Sequence, residues 1–250
     1  MDTKIIAICN HKGGVAKTTT VASLGASLAS LGHSVLLVDL DAQSNLTSSL
    51  LGYEPERSNY EAIRDREGLP IEKVGSTGLS LAGASLDLAG IELEISTAME
   101  RERILQDVLS EVADKYEYIL LDCPPSLGLL TLNALTASTD VIIPLTAEAL
   151  PSKGLQKITD IIQMTQKRLN KGLRLSGILI TRYERNNLSL TVEEAIRERY
   201  GELVYDTKIR KNVSLAEAPL AVQTILEYAP TSNGAKDYLA LAKEVEAKLK

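Results

Sequence analysis

A strand-like run followed at once by a glycine-containing loop and a helical pattern is the feature that most constrains this chain. Residues 4–9 (KIIAIC) are short and apolar throughout, which is typical of a strand buried on both faces. The loop KGGVAKTT occupies residues 12–19. Residues 18–31 then repeat apolar side chains at about every 3.6 positions, until Gly32 stops the pattern. The order predicts a strand, a tight turn and a helix.

The remaining sequence repeats this alternation. Four more apolar runs have the length of buried strands: Val35–Leu40, Ile119–Asp122, Val141–Leu145 and Leu175–Thr181. Helical patterns cover about 99–115, 128–138, 153–170, 189–200 and 234–249, whereas 53–98 shows only mixed charge and two or three short amphipathic pieces. Alternating strands and helices predict an α/β fold with a mostly parallel, twisted sheet and helices on both faces. Without a linker-like stretch or an internal repeat, we expect a single domain over residues 1–250.

Composition excludes several classes of protein. With 44% hydrophobic and 24% charged residues in 250, the chain is too apolar for a disordered protein, and no apolar stretch reaches the roughly 18 to 20 residues that span a bilayer. No secretory signal pattern follows Met1, and Cys9 and Cys123 both lie in apolar runs. We therefore expect a cytoplasmic protein with two buried, reduced thiols. Nine Tyr without Phe or Trp disfavour base-stacking surfaces for single-stranded nucleic acid.

The loop at residues 12–19 has the chemistry of a phosphate-binding site. Successive backbone N–H groups at a helix N-terminus face an anion, and a lysine adds a point charge. In this loop Lys17 would reach the β- and γ-phosphates and the Thr18 hydroxyl would bind Mg²⁺. The general P-loop pattern fails, however, because its glycines would fall at His11 and Ala16. An extra lysine, Lys12, precedes the glycine pair instead.

This deviant loop resembles that of the ParA/MinD class of P-loop ATPases, and three further motifs support the resemblance. DLDAQ at 39–43 is similar to the family's switch I, and DCPPS at 122–126 is similar to its Walker B and switch II segment. NVSLAEAP at 212–219 resembles the stretch that follows the nucleotide base in ParA and Soj proteins. The four motifs occur in family order over residues 4–219. The chain is therefore identified as a member of the ParA/Soj branch, with a P-loop NTPase fold.

The resemblance implies roles for individual residues. Lys12, which would reach across a dimer to the partner's ATP, Lys17 and Asp41, which would position the attacking water, form the expected catalytic group. Thr18 would bind Mg²⁺ directly, and Asp39 and Asp122 would act through its waters. An aspartate at a strand end can also simply cap a following helix, and this alternative stays open. The expected nucleotide contacts are Lys12, Gly13, Gly14, Val15, Ala16, Lys17, Thr18 and Thr19 at the phosphates, and Arg210 and Asn212 at the adenine.

Charge is distributed unevenly along the chain. The net charge is −6, yet residues 153–212 hold 13 basic and 7 acidic side chains, against 10 and 21 in residues 1–152. A local basic surface can attract DNA phosphates although the whole molecule is acidic, because salt screens distant charges. An ordinary solvated surface is the alternative. The basic residues expected to contact DNA are Arg182, Arg185, Lys208, Arg210 and Lys211.

The expected function is that of a short ParA/Soj-like partitioning ATPase without the N-terminal helix-turn-helix domain of longer relatives. ATP and Mg²⁺ would drive a homodimer that binds double-stranded DNA non-specifically on the nucleoid. A ParB-like partner would stimulate slow hydrolysis, so that a plasmid or chromosome is segregated, without any membrane. The rival is a MinD-like membrane-cycling ATPase. Ala16, Ala42, Ser44 and Ser214 depart from the family pattern, and Ala16 and Ser214 put nucleotide affinity and the individual DNA contacts in doubt.

Overall fold

The computed structural model describes residues 3–75, 78–147 and 153–249. Its centre is a seven-stranded sheet in the order β3-β4-β2-β5-β1-β6-β7, in which β3 pairs antiparallel with β4 and every other pair is parallel. Helices cover both faces of this sheet, so the predicted α/β class and the mostly parallel sheet are confirmed.

The elements follow one another in largely alternating order. The strands are β1 Lys4–Ile8, β2 Val35–Asp39, β3 Ile71–Val74, β4 Leu79–Ala82, β5 Tyr118–Asp122, β6 Asp140–Thr146 and β7 Arg174–Thr181. The helices are α1 Lys17–Ser30, α2 Asn45–Leu51, α3 Asn59–Asp65, α4 Leu88–Glu94, α5 Ile104–Ser110, α6 Leu129–Ala137, α7 Lys153–Arg168, α8 Asn187–Tyr200, α9 Ser214–Glu217, α10 Ile225–Tyr228 and α11 Asn233–Lys248. Single 3₁₀ turns occur at Ile95–Thr97, Ala113–Lys115, Gly201–Leu203 and Ala218–Ala221.

The core is divided in two by the sheet, because neighbouring residues of a strand point to opposite faces. In β1, Ile6 and Ile8 pack with α1, α2 and α11, whereas Ala7 belongs to the core under α3 to α8. Both cores are built mainly from Leu, Ile, Val and Ala, as expected for a chain without Phe or Trp, and the core under α1, α2 and α11 also contains the fully buried Tyr205 and Tyr238. The carboxyl ends of β1, β2 and β5 meet at one edge, where Asp122 pairs in register with Ile8 and Asp39.

Two parts of the sequence prediction differ from the structure. The five predicted strands are present, but residues 53–98 add the β3–β4 hairpin, whose four-residue strands are too short to give a clear period. The helix predicted over 99–115 covers only Ile104–Ser110. Its start is fixed by the α6 residue Asn133, whose side chain accepts a hydrogen bond from Leu105 N and donates one to the Arg101 carbonyl.

The C-terminal helix packs inward. In α11, Leu241, Ala242 and Val245 are buried against α1 and the sheet, and Leu239 is half-buried. Within the described ranges, no helix combines the length and apolarity needed to cross a bilayer. Cys9 and Cys123 are both buried and free, as predicted, and a hydrogen bond between the two thiols, together with burial, raises the pKa of Cys123.

Candidate functional site

The glycine-containing loop between β1 and α1 is anchored at both ends. Asn10 is buried and donates from its amide to the Pro144 carbonyl, and its side-chain oxygen accepts the Lys12 N–H at 3.0 Å. At the other end, the buried Thr181 hydroxyl of β7 donates to the Val15 carbonyl at 3.1 Å. The loop is therefore held at both ends by the neighbouring strands.

The loop leaves a row of backbone donors unused. None of the N–H groups of residues 13–19 donates to an acceptor in the part of the chain that the structure describes, whereas Thr20 N bonds to the Ala16 carbonyl. Gly14 and Ala16 both adopt the left-handed conformation, with φ of 72° and 67°. Unpaired N–H groups at a helix N-terminus, in a loop with left-handed residues, bind anions such as phosphate.

Two lysines carry positive charge at this loop. Lys17 is buried, 8% exposed, and lines the cavity beside the loop. None of the described residues accepts a hydrogen bond from its ammonium group, although its charge lowers the pKa of the nearby Asp122. Lys12 is exposed, and its ammonium group makes no hydrogen bond or ion pair over the described ranges. Both cations are thus available to a polyanion.

Asp39, at the end of β2, organises the following segment. One carboxylate oxygen accepts from the Asp41 N–H at 3.1 Å, and the other accepts from Thr47 N and the Thr47 hydroxyl at 3.0 and 2.7 Å. Burial raises its pKa to about 6 despite these hydrogen bonds. Thr47 lies in the first turn of α2, and the N-cap residue Ser44 makes no side-chain hydrogen bond to that turn. Asp39 therefore caps α2, as the alternative interpretation of a strand-end aspartate expects. Its predicted metal role stays a prediction.

Asp122 has the opposite character. It is almost fully buried at the end of β5, and neither carboxylate oxygen has a hydrogen bond of normal geometry within the described residues. Burial and the neighbouring Asp39 raise its pKa well above the usual range, and the Thr18 hydroxyl and Lys17 oppose this rise. Such an arrangement is costly unless a cation completes it.

The donor set fits Mg²⁺. Carboxylate oxygens of Asp122 lie beside the Thr18 hydroxyl, and hard oxygen donors are the ligands this ion prefers. Among the described residues, no three His, Cys, Asp or Glu side chains converge to hold a metal ion by themselves. A Mg²⁺ ion bound at this edge would therefore rely on phosphate oxygens and water as well, which is its usual coordination in phosphate sites.

Asp41, in the middle of the switch I segment, lies at the rim of the same space. Its carboxylate accepts the Gln43 N–H at 3.0 Å and its carbonyl accepts the Ser44 N–H at 2.9 Å, so the segment forms a tight turn. Ser44 has a φ of 51°, in the left-handed region that favours the glycine usual here in the family. The predicted catalytic carboxylate thus borders the cavity without being buried.

Two cavities flank the phosphate loop and share the loop residues Gly14 and Ala16, Thr19 of α1 and Leu215. The first, of about 470 Å³, is the phosphate-side cavity, and it runs from the loop to Asp41 and the segment from Leu215 to Ile225. The second, of about 490 Å³, is the base-side cavity. Its lining is Gly14, Ala16, Thr19, Thr181, Arg182, Ile209, Arg210, Lys211, Asn212, Val213, Leu215, Ala216 and Tyr238. The structure therefore brings the predicted adenine residues Arg210 and Asn212 to the loop from the far end of the chain.

The residues predicted to contact DNA cluster around the end of β7 and the segment 208–212, but most of them have ionic partners. Lys208 contacts both carboxylate oxygens of Glu193 at 2.8 Å. Lys211 pairs with Glu184 at 2.6 Å, and Arg210 pairs with Asp237. Arg182, which also has an interaction partner, lines the base-side cavity together with Arg210 and Lys211. Arg185 is exposed, without an ion pair among the described residues.

Several residues that shape the site were not predicted from the sequence. They are Asn10 and Thr181, which anchor the loop, Thr47, which binds Asp39, and Tyr238, whose hydroxyl lies 3.1 Å from that of Thr20. An Asn two positions before a loop N–H is a recognisable turn signal. Thr181 and Tyr238 come from distant segments, and no sequence pattern marks them or Thr47, which follows Asp39 by eight residues.

Taken with the fold, a phosphate-binding loop at the carboxyl end of a central parallel strand defines a P-loop nucleoside-triphosphate-binding protein. The family model described as "AAA domain" matches residues 3–175. The chain is 45% identical to the sporulation initiation inhibitor protein Soj of Bacillus subtilis over 250 residues, 98% of each chain. It is 37% identical to the chromosome partitioning protein ParA of Caulobacter vibrioides, covering 97% of this chain and 93% of that one.

A solved structure gives the same result for the fold. Cobyrinic acid a,c-diamide synthase from Mycobacterium smegmatis, with bound ATP analog and magnesium, superposes with a TM-score of 0.86 at 36% identity and covers 99% of this chain and 96% of that one. That protein's name gives a different activity, so the similarity concerns the fold and its nucleotide-binding class. On the full-length similarity to Soj and ParA, the chain belongs to the ParA/Soj family of partitioning ATPases.

Proposed function

We propose that this protein is a Mg²⁺-dependent ATPase that dimerises on ATP, binds DNA non-specifically as the dimer, and segregates a plasmid or chromosome with a ParB-like partner. The observation that carries the proposal is the row of unpaired N–H groups at residues 13–19, with the buried Lys17 beside it. A ligand with several phosphates would satisfy these donors, and the Asp122 carboxylate without hydrogen-bond partners supports a metal ion bound beside it.

The nucleotide lies across both cavities in this proposal. Its phosphates bind the loop from Gly13 to Thr19, and its base enters the base-side cavity near Arg210 and Asn212. Mg²⁺ bound to Thr18 supplies neutralisation of the phosphate charge, with Asp122 holding its waters. Asp41 accepts a hydrogen bond from the water that attacks the γ-phosphate, and its position at the rim of the phosphate-side cavity supports this role.

Lys12 supports the dimer. A lysine in a phosphate loop whose ammonium group has no partner among the described residues is free to contact a γ-phosphate presented by a second copy. Two subunits that each neutralise the other's nucleotide associate only when the γ-phosphate is present. The dimer is therefore the ATP state, and hydrolysis dissolves it.

DNA binding follows from the pairing of two basic surfaces. Each surface includes Arg182, Arg185, Lys208, Arg210 and Lys211. Pairing two surfaces doubles the number of DNA phosphate contacts, which raises the affinity for DNA and makes that affinity fall more steeply with salt. The ion pairs of Lys208, Arg210 and Lys211 mean that Arg185 is the contact with the most accessible charge. A ParB-like partner releases the protein from DNA by stimulating ATP hydrolysis. The alternative function, anchoring at a membrane, would need the buried residues of α11 to turn outward.

The role of Asp41 provides the test. Asp41→Ala is expected to bind Mg-ATP with unchanged affinity and to lose at least about 100-fold of the phosphate-release rate, the usual scale for general acid–base catalysis. Asp114→Ala, a change at an exposed aspartate that lines neither cavity, is the matched control and keeps the wild-type rate. Loss of nucleotide binding in Asp41→Ala would show that Asp41 holds the ligand instead, and an unchanged rate would remove it from catalysis.

A further inference from the structure

Two consecutive residues of α11, Asp237 and Tyr238, connect the surroundings of the base-side cavity to two other segments of the chain. The Asp237 carboxylate accepts hydrogen bonds from the Arg210 backbone N–H at 2.9 Å, from its Nη2 at 2.6 Å and from its Nε at 3.0 Å. The next residue, Tyr238, is fully buried, and its hydroxyl lies 3.1 Å from the Thr20 hydroxyl of α1. One turn of α11 thus links the wall at residue 210 to the helix that carries the phosphate loop.

Asp237 acts on the cavity only indirectly. It is 8% exposed and is not among the residues that line the cavity, whereas Arg210 and Tyr238 are. A buried carboxylate that accepts a bidentate guanidinium and a backbone N–H makes hydrogen bonds of the strong, charge-assisted kind. Asp237 therefore fixes Arg210 in both its backbone and its side chain.

Residues 208–212 lie outside the named strands and helices and pair on one side with the end of β7. There Ile209 N bonds to the Ile180 carbonyl, and Tyr183 exchanges hydrogen bonds with Ile209 and Lys211. On the other side, Ile209 is buried in the core that includes α11, and Lys208 contacts Glu193. The hydrogen bonds from α11 to Arg210 come from Asp237, so removing its carboxylate would release Arg210 while its neighbours stay attached.

We propose that Asp237 is a positioning residue that sets, through Arg210, the wall against which the nucleobase binds. The inference rests on the proposed function, because it requires a nucleotide whose base enters this cavity. In this proposal Asp237 holds the Arg210 guanidinium in place beside the cavity. This accounts for the pairing of a half-exposed arginine side chain with a largely buried carboxylate. The phosphates bind to the loop from residue 13 to 19, which Asp237 does not touch.

A purely structural role for the ion pair makes a different prediction. If Asp237 only stabilises α11, its loss lowers the stability of the whole chain and affects all ligands of the site alike. If it positions the base wall, its loss weakens ligands that carry a base and leaves base-free phosphate ligands unchanged. Comparing a nucleotide with its bare phosphate group separates the two.

The experiment measures the dissociation constants of Mg-ADP and Mg-pyrophosphate by calorimetry, for the wild type, Asp237→Asn and Asp206→Asn. Neither ligand has a γ-phosphate, so neither is hydrolysed there and neither promotes dimerisation. Asp237→Asn is expected to bind Mg-ADP about tenfold more weakly and Mg-pyrophosphate within about twofold of the wild type. Asp206 is 94% exposed and contacts Arg197 loosely at 3.5 Å, so Asp206→Asn is the matched control without effect.

The outcomes separate the inference from the proposed function. If the wild type binds Mg-ADP no better than Mg-pyrophosphate, the base does not use the cavity, and the nucleotide placement and the inference both fail. If the wild type prefers Mg-ADP and Asp237→Asn keeps the same preference, only the positioning role is overturned. Arg210→Lys, which retains a cation but not the paired geometry, gives an intermediate loss and replaces Asp237→Asn should that variant not fold.

Discussion

Ala16 allows a sharp test of the loop geometry. It precedes α1 with φ 67° and ψ 35°, in the left-handed region where the family's usual residue is glycine. For a residue with a Cβ, this conformation costs roughly 1–2 kcal/mol relative to the right-handed one. Ala16→Gly removes that strain. Glycine also gives the unfolded chain more conformational freedom, which offsets roughly 0.4–1 kcal/mol of the gain in stability. The net expectation is a stabilisation of about 0.5–1 kcal/mol.

Thermal unfolding of the nucleotide-free protein measures this effect. For a chain of 250 residues, 1 kcal/mol corresponds to about 2–4 °C, so Ala16→Gly is expected to raise Tm by about 1–4 °C. Gly14→Ala is the matched reverse change, because Gly14 has a φ of 72° and nothing lies within 4 Å of its added Cβ. It should lower Tm through strain alone. A lower Tm for Ala16→Gly, or no loss for Gly14→Ala, would refute the loop conformation.

Three further predictions concern the surroundings of the loop. Asp122→Asn is expected to stabilise the nucleotide-free protein at pH 8 and hardly at pH 4. The pKa of the Asp122 carboxyl is raised in the folded protein, so its ionisation opposes folding as the pH rises. Equal effects of the substitution in denaturant titrations at the two pH values would contradict this. The Glu92 carboxylate caps α6 by accepting the Leu130 N–H at 2.9 Å, and a Cβ added at Gly128 would collide with that carboxylate. Gly128→Ala should therefore displace the cap and cost about 1–2 kcal/mol by chemical denaturation, whereas additivity with Glu92→Ala would show that the contact is absent. Lys12→Ala should bind Mg-ADP like the wild type and stay monomeric with ATP in size-exclusion chromatography, whereas an ATP-dependent dimer would remove Lys12 from the interface.

The sequence predicts the centre of this fold well because buried parallel strands carry continuous apolar runs. Five of the strands, including β1 and β5, follow from such runs. The β3–β4 hairpin does not, since IEKV alternates only briefly and LSLA is four residues long. Its place at the edge of the sheet depends on pairing between β4 and β2, which is a tertiary contact that no local period encodes.

The site divides along the same line. Residues of the loop and of the strand ends are adjacent in the chain to the motifs that mark them, so Lys17 and Asp122 could be predicted to lie together. The hydrogen bonds of Asp39 to Thr47 depend on how the chain folds back at the start of α2, and the clamp of Asp237 on Arg210 depends on a helix from a separate part of the chain. The basic surface was predicted from charge counts, which do not reveal that acidic neighbours pair with most of it.

The central claim is that ATP joins two copies of this protein and that only the joined form binds a DNA duplex. Multi-angle light scattering of Asp41→Ala with Mg-ATP and with Mg-ADP, with duplex retention measured on the same samples at two salt concentrations, tests it most directly. With Mg-ATP, and not with Mg-ADP, the protein is expected to have twice the 27.0 kDa chain mass and to be retained on the duplex in a salt-sensitive manner. A single-chain mass with both nucleotides, or equal retention with both, would contradict it.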